Sequence, residues 1–274
     1  MVLGPATTEL AREQSKASRA SWPWTLYTWV HVLTWLFCGA VVAVVVGLLA
    51  RLLGDRHGRV AHACIAFAYR GIVRTHPRYR ITITGVENLP KGAAILCPNH
   101  QSLSDVVYLF SLPLPYRWVI KKELFRVPLF GAAMRVAGYP MIDRGNPDSA
   151  VHLINKVSVL LDAGIPVLSF PEGTRSHEGR LGRFHNGPAR MALAKGVPLV
   201  PIGVVGTQNL LPRGSATYPA EAHISIHVGP QLATAGHDGH DGREVRLLTR
   251  ELRRRVESAK MAAQRAVDEA DRSS

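Results

Sequence analysis

Between Arg19 and Arg51 the chain carries no Lys, Arg, Asp or Glu, and an uncharged segment of that length constrains the fold more than any other feature. As a helix, Tyr27 to Ala50 (YTWVHVLTWLFCGAVVAVVVGLLA) is long enough to cross a hydrocarbon core of about 30 Å. Trp22, Trp24, Tyr27 and Trp29 crowd its N-terminal end, the position favoured by interfacial aromatics. A cleaved signal peptide has a shorter apolar region and an A-x-A-like exit. The segment is therefore expected to be retained, as a membrane helix or a helical hairpin. His31, Thr34 and Gly39 interrupt its middle, which leaves spanning and re-entrant forms both open. A buried core helix and a hairpin lying in one leaflet are the structural alternatives. Arg51, Arg56, Arg59, Arg70, Arg74, Arg78 and Arg80 follow the segment, against Arg12, Lys16 and Arg19 before it. This bias predicts that the body of the protein faces the cytoplasm.

Composition narrows the partners. Lys and Arg outnumber Asp and Glu by 33 to 20, a formal charge of +13, which favours an anionic partner such as nucleic acid, a bilayer face or a phosphorylated substrate. With 47% hydrophobic and 19% charged residues the chain is too apolar for disorder, and membrane contact is favoured over nucleic acid. Cys38, Cys64 and Cys97 are widely spaced. Cys97 with His100 makes one ligand pair and no second pair accompanies it, so neither a disulfide framework nor a metal site is predicted.

From Arg80 onward, short β-rich runs alternate with helical stretches, which is an α/β pattern. Strands are expected at Arg80–Thr84, Ala93–Cys97, Trp118–Ile120, Pro140–Ile142, Val167–Phe170, Leu199–Val205 and Ile224–Val228. Several are continuous apolar runs, as in a sheet covered on both faces. Helices are expected at Ser104–Ser111, Leu129–Ala137, Asp148–Ala163 and Pro188–Lys195, and Arg243–Asp271 reads as a charged helical tail after a glycine-rich linker. The division expected is residues 1–53 for the N-terminal tail and membrane segment, 54–236 for the α/β domain, and 237–274 for the linker and charged helix.

Chemistry concentrates where strands end. After Ala93–Cys97 comes Pro98-Asn99-His100-Gln101-Ser102-Leu103-Ser104-Asp105, at the kind of strand end where α/β sheets bind ligands. His100 is placed to act as a general base near neutral pH, and Asp105 to fix its tautomer. No serine nucleophile completes a triad, so the base would activate a hydroxyl of the substrate, with direct acyl transfer and no acyl-enzyme. Ser102-x-x-Asp105 also has the form of a capping box, in which Asp105 merely caps a helix. A second constellation follows Val167–Phe170: Pro171-Glu172-Gly173-Thr174-Arg175-Ser176. Arg175 can fork onto a phosphate, with donors from Gly173 and Thr174 beside it. An ordinary glycine turn with a surface Arg is the plain alternative.

Asn99-His100-(four residues)-Asp105, Phe170-Pro171-Glu172-Gly173-Thr174-Arg175-Ser176 and Val197-Pro198-Leu199-Val200-Pro201-Ile202 together resemble the blocks of the bacterial 1-acyl-sn-glycerol-3-phosphate acyltransferases within the glycerolipid acyltransferase family. The resemblance covers about residues 80 to 230. It includes Lys121-Lys122-Glu123-Leu124 and Gly138-Tyr139-Pro140-Met141-Ile142-Asp143-Arg144, similar to the family's block ending in Ile-Asp-Arg. It implies a mostly buried mixed sheet flanked by helices and an N-terminal membrane-binding helical segment. It further implies His100 as base, Asp105 as its partner, and Arg144, Glu172, Gly173, Thr174 and Arg175 with Lys121 or Lys122 around the glycerol phosphate. The expected reaction moves an acyl chain from a thioester to lysophosphatidate, giving phosphatidate, at the bacterial inner membrane. Acyl-CoA or acyl carrier protein is the co-substrate, with no other cofactor and no metal, and no nucleic acid partner is expected. An acyltransferase of the same family acting on a lyso-ornithine lipid or another lysolipid is the alternative. Phe184-His185-Asn186-Gly187 stands where many members have Phe-Lys-Lys-Gly, a loss of two positive charges.

Overall fold

The computed structural model describes residues 22–143, 147–175, 180–211, 216–234 and 241–272. In chain order they form α1 (Trp22–Leu52), α2 (Arg59–Thr75), β1 (Tyr79–Thr84), β2 (Ile95–Pro98), α3 (Ser104–Leu109), β3 (Arg117–Trp118), β4 (Ile120–Lys121), α4 (Phe130–Val136), β5 (Met141–Ile142), α5 (Pro147–Asp162), β6 (Val167–Leu168), α6 (Gly187–Lys195), β7 (Leu199–Val205), β8 (Ala222–Val228) and α7 (Gly242–Arg272).

Six strands make one mixed sheet in the order β1-β8-β7-β2-β6-β3. β7, β2, β6 and β3 run parallel to one another, and β8 crosses antiparallel to β7 while pairing parallel with β1. The exits of β2, β6, β3 and β7 therefore share one edge. Alternation along the strands divides the core in two. Leu96, Val200, Ile202 and Val204 face the side of α1 to α4, whereas Ile95, Cys97, Val167 and Leu199 face α5, α6 and α7.

The expected strand at 118–120 is broken: β3 pairs with β6, and the chain then shifts so that β4 pairs with β5 in a separate two-stranded sheet. The charged tail also does more than expected. Val245, Thr249, Leu252, Val256, Ala259 and Ala263 of α7 are buried, a four-three spacing that lays one face across the sheet. Gly203 of β7 admits this helix, since a Cβ there would stand 2.2 Å from the Ala259 carbonyl carbon.

α2 was not foreseen. Its signal is Asp55, whose carboxylate accepts from the backbone N–H groups of Arg59 (3.0 Å) and Val60 (2.9 Å), satisfying donors at the helix start. α1 and α2 form an antiparallel hairpin, and residue 53 falls in its turn. Small residues bring the helices together: a Cβ on Gly39 would lie 2.3 Å from Ala68 Cβ, and one on Gly47 2.6 Å from Ala61 Cβ. Both ends of α1 are fastened to the body. Thr25 Oγ1 donates to the Tyr218 carbonyl at 3.1 Å, and Arg51 Nη2 to the Val136 carbonyl at 3.0 Å. Arg70 likewise binds the Phe110 and Leu112 carbonyls beyond α3, so part of the basic stretch serves helix C-termini. The outer face of α1 stays apolar and exposed, through Val30, Leu33, Phe37, Val45, Leu48 and Leu49.

Candidate active site

β2 ends at Pro98, and the next residue keeps its loop attached to the sheet. Asn99 is fully buried. Its side-chain amide accepts from the Val204 N–H at 2.7 Å and donates to the Val204 carbonyl at 3.0 Å. His100 then turns back, and its Nδ1 lies 2.7 Å from Asp105 Oδ2. Asp105, on the first turn of α3, has a fully buried side chain, and His100 keeps 16% exposure. The same Oδ2 accepts the backbone N–H groups of Gln101 (2.6 Å) and Ser102 (2.9 Å). Capping and partnering are thus one arrangement: the carboxylate that satisfies the turn also holds the imidazole. Among the described residues Nε2 of His100 has no hydrogen-bond partner, which leaves that nitrogen free to accept a proton.

β6 is shorter than expected and ends at Leu168, because Phe170 leaves the sheet to stack on the His100 ring, centroids 4.0 Å apart. Glu172 is 5% exposed. Its Oε1 accepts the His100 backbone N–H at 2.9 Å and its Oε2 the Gly182 N–H at 2.8 Å. Both carboxylate oxygens thus serve the chain itself. Gly173 has φ +69, and a Cβ there would meet the His185 ring at 2.9 Å; both conditions favour glycine. Thr174 is exposed and Arg175 half-buried, and among the described residues the Arg175 guanidinium has no partner.

The family model described as Acyltransferase matches residues 80–205. A 1-acyl-sn-glycerol-3-phosphate acyltransferase of Pseudomonas aeruginosa is 32% identical over 180 residues, covering 61% of this chain and 69% of that protein. The chain belongs to the 1-acyl-sn-glycerol-3-phosphate acyltransferase family. A chloroplastic member from Brassica napus is 38% identical over 177 residues, 64% of this chain and 51% of the relative. The chain spans about half the length of such plant relatives. The crystal structure of a Thermotoga maritima 1-acyl-sn-glycerophosphate acyltransferase superposes with a TM-score of 0.63 at 23% identity, covering 86% of this chain and 98% of that one. It shares the fold.

Lys121 is exposed at the end of β4, in the separate β4–β5 sheet, while Lys122 Nζ is held by Asp143 Oδ2 at 2.8 Å. Arg144 and Ser176 lie outside the described residues. His185, at the position where this chain departs from the family pattern, stands against Gly173, so the charge difference falls beside the Arg175 turn. Cys97 is fully buried with Ile95 and Val167, and burial pushes its thiol well above the ordinary range.

Three contributors were missed. Phe170 figures in the sequence as the end of a strand and the start of a resemblance block, and Asn99 as part of the resemblance, neither with a role of its own. Thr207 was not singled out; its Oγ1 donates to Asp105 Oδ1. A hydroxyl directly after the glycine that ends β7 was the available signal.

Proposed function

We propose that this chain transfers an acyl group from an acyl thioester to the free hydroxyl of 1-acyl-glycerol-3-phosphate, giving phosphatidate and a free thiol. The observation that carries the reading is the His100–Asp105 pair, with Nδ1 held at 2.7 Å and Nε2 open. In the proposed step Nε2 takes the hydroxyl proton as that oxygen attacks the thioester carbonyl, and the buried carboxylate stabilises the imidazolium. Collapse of the tetrahedral intermediate expels the thiolate, which takes the proton back. The acceptor phosphate is assigned to the turn of Gly173, Thr174 and Arg175, with Lys121 and, by family resemblance, Arg144. Arg175 offers the bidentate fork a phosphate prefers. Glu172, named with this group by resemblance, is assigned instead to holding the His100 loop against the 180–184 segment, because its oxygens already accept two backbone donors.

The exposed apolar face of α1 is assigned to lipid. Since both ends of the helix are tied to the body, the hairpin is proposed to lie in one leaflet, on the cytoplasmic face of the inner membrane. The surplus positive charge suits an anionic bilayer and an anionic donor, acyl-CoA or acyl carrier protein.

The test is an acceptor panel with purified full-length protein in detergent, using both donors against lysophosphatidate, a lyso-ornithine lipid and other lysolipids. Lysophosphatidate is expected to give the highest kcat/KM with at least one donor. A preference for a lysolipid without a phosphomonoester would move the acceptor assignment to that lipid.

A further inference from the structure

We propose that Thr207 is a positioning residue of this site: through its hydroxyl it holds the Asp105 carboxylate in the orientation that aims His100. The proposal rests on the acyl-transfer reading for its consequence in rate, and on geometry alone for its consequence at the imidazole.

Asp105 is a carboxylate with no exposed surface, and such a group persists as an anion only if donors replace its water. Three donors converge on Oδ2: His100 Nδ1, Gln101 N and Ser102 N. Oδ1 has one donor among the described residues, the hydroxyl of Thr207, from a residue 102 positions away in the chain. Without it, Oδ1 would be buried and unsatisfied. The carboxylate would then be held from the Oδ2 side alone, and the angle at which Oδ2 meets Nδ1 would be less closely fixed.

The position of Thr207 is itself fixed. Gly206 sits at φ +93, where a Cβ would lie 2.1 Å from the His223 carbonyl oxygen, so the strand-ending turn admits glycine alone. The Gly206 N–H donates to Gln208 Oε1 at 2.9 Å, and Leu210 N–H to the Thr207 carbonyl at 3.1 Å. Asn99 binds the loop of His100 to Val204 on the same strand. Base loop and hydroxyl are therefore carried by one strand end. Thr207 is fully buried and cannot touch substrate, so it acts through Asp105. Glu172, bonded to the His100 backbone, is the other charged group bound to this loop among the described residues.

The test compares Thr207→Val, which keeps the shape and loses the donor, with Thr207→Ser, which keeps the donor. For the valine variant kcat should fall about tenfold, the effect of losing one hydrogen bond to a charged group. KM for both substrates should stay within about twofold, and serine should restore most of the rate. Removing a donor from the anion raises the proton affinity of the His–Asp pair as a unit, so the acid limb of the kcat/KM profile should move to higher pH. A residue that merely supports folding would scale the rate equally at every pH. The second measurement does not depend on the reaction: an NMR titration of His100 in histidine-labelled protein in detergent, assigned with His100→Ala, should show a higher midpoint in Thr207→Val than in wild type. Should valine prevent folding, Thr207→Ala makes the same comparison with serine. An unmoved midpoint, or equal damage from valine and serine, would overturn the proposal. A wild-type enzyme that transfers no acyl group, with the midpoint still shifted, would overturn the acyl-transfer reading and leave Thr207 in place.

Discussion

The sheet edge around His100 and the α1–α2 hairpin are built on opposite physical plans. Around His100, loops are fixed by directed bonds: Asp105, Glu172 and Asn99 are buried polar groups, and each one is matched to donors or acceptors from a distant part of the chain. The hairpin is held mainly by close approach of Gly39, Gly47 and Gly71 to Ala68, Ala61 and Trp35, with a few polar ties at its ends. The first plan fixes atoms to within a fraction of an ångström, as proton transfer requires. The second leaves a broad apolar surface open, and such a surface needs lipid or another apolar partner. Damage at the edge should therefore appear in rate, and damage in the hairpin in stability and membrane attachment.

The sharpest break is at the base. His100→Ala is expected to cut turnover by about 10² to 10⁴ with little change in Tm, because the imidazole contributes mainly proton transfer. Asp105→Asn keeps an acceptor oxygen for the turn but loses the charge facing the imidazolium. It should melt near wild type and turn over much more slowly at saturating substrates; a wild-type rate would remove the His–Asp base. Next in size, Arg175→Lys keeps charge but not the fork. It is expected to raise KM for lysophosphatidate about tenfold with a smaller change in kcat, and an unchanged dependence on acceptor concentration would take Arg175 out of the phosphate site.

The hairpin should respond differently. Gly47→Val places a branched side chain 2.6 Å from Ala61 Cβ and 2.7 Å from Val136 Cγ1, and overpacking of this kind costs about 1–3 kcal/mol. Tm in detergent should fall while kcat of the folded fraction holds; a loss of kcat without a loss of Tm would mean that hairpin and edge are coupled. The smallest effect concerns acid. His76, beyond the end of α2, is pulled down to about 4 by burial and by the neighbouring His31. A histidine depressed in this way binds fewer protons folded than unfolded, so its stabilisation is complete above about pH 6.5 and is lost as pH falls toward 4. A Tm series from pH 7 to 4 should decline, and His76→Gln should flatten part of that decline.

The elements were legible where one physical signal dominated. β7 was read at its exact limits because a continuous apolar run admits little else, and α7 to within a residue from its periodicity. The role of α7 was not: its charges describe the solvent face, and the narrow row from Val245 to Ala263 that covers the sheet is a minority of its residues. α2 was hidden because the arginines around it carry a topology signal, although Arg70 of α2, like Arg51 of α1, serves carbonyl groups of another helix. At the site, His100 and Asp105 were legible because their partnership is local. The two backbone partners of Glu172 were not legible, because a carboxylate in a Pro-Glu-Gly-Thr-Arg block says nothing about which backbone groups it will meet. Thr207 could not be found by spacing, since its partner is brought to it by the parallel pairing of β2 and β7.

Asn99 extends the sheet beyond its last strand residue. A side-chain amide presents the same donor and acceptor as a peptide group, and here it is set against both polar groups of Val204. It acts as a counterfeit rung, continuing the ladder after the backbone of β2 has left it. His100 thus emerges from a strand that has ended in shape but not in bonding, and the ordering of its loop, about 1–2 kcal/mol for each residue fixed, is met when the protein folds and not when a lipid arrives.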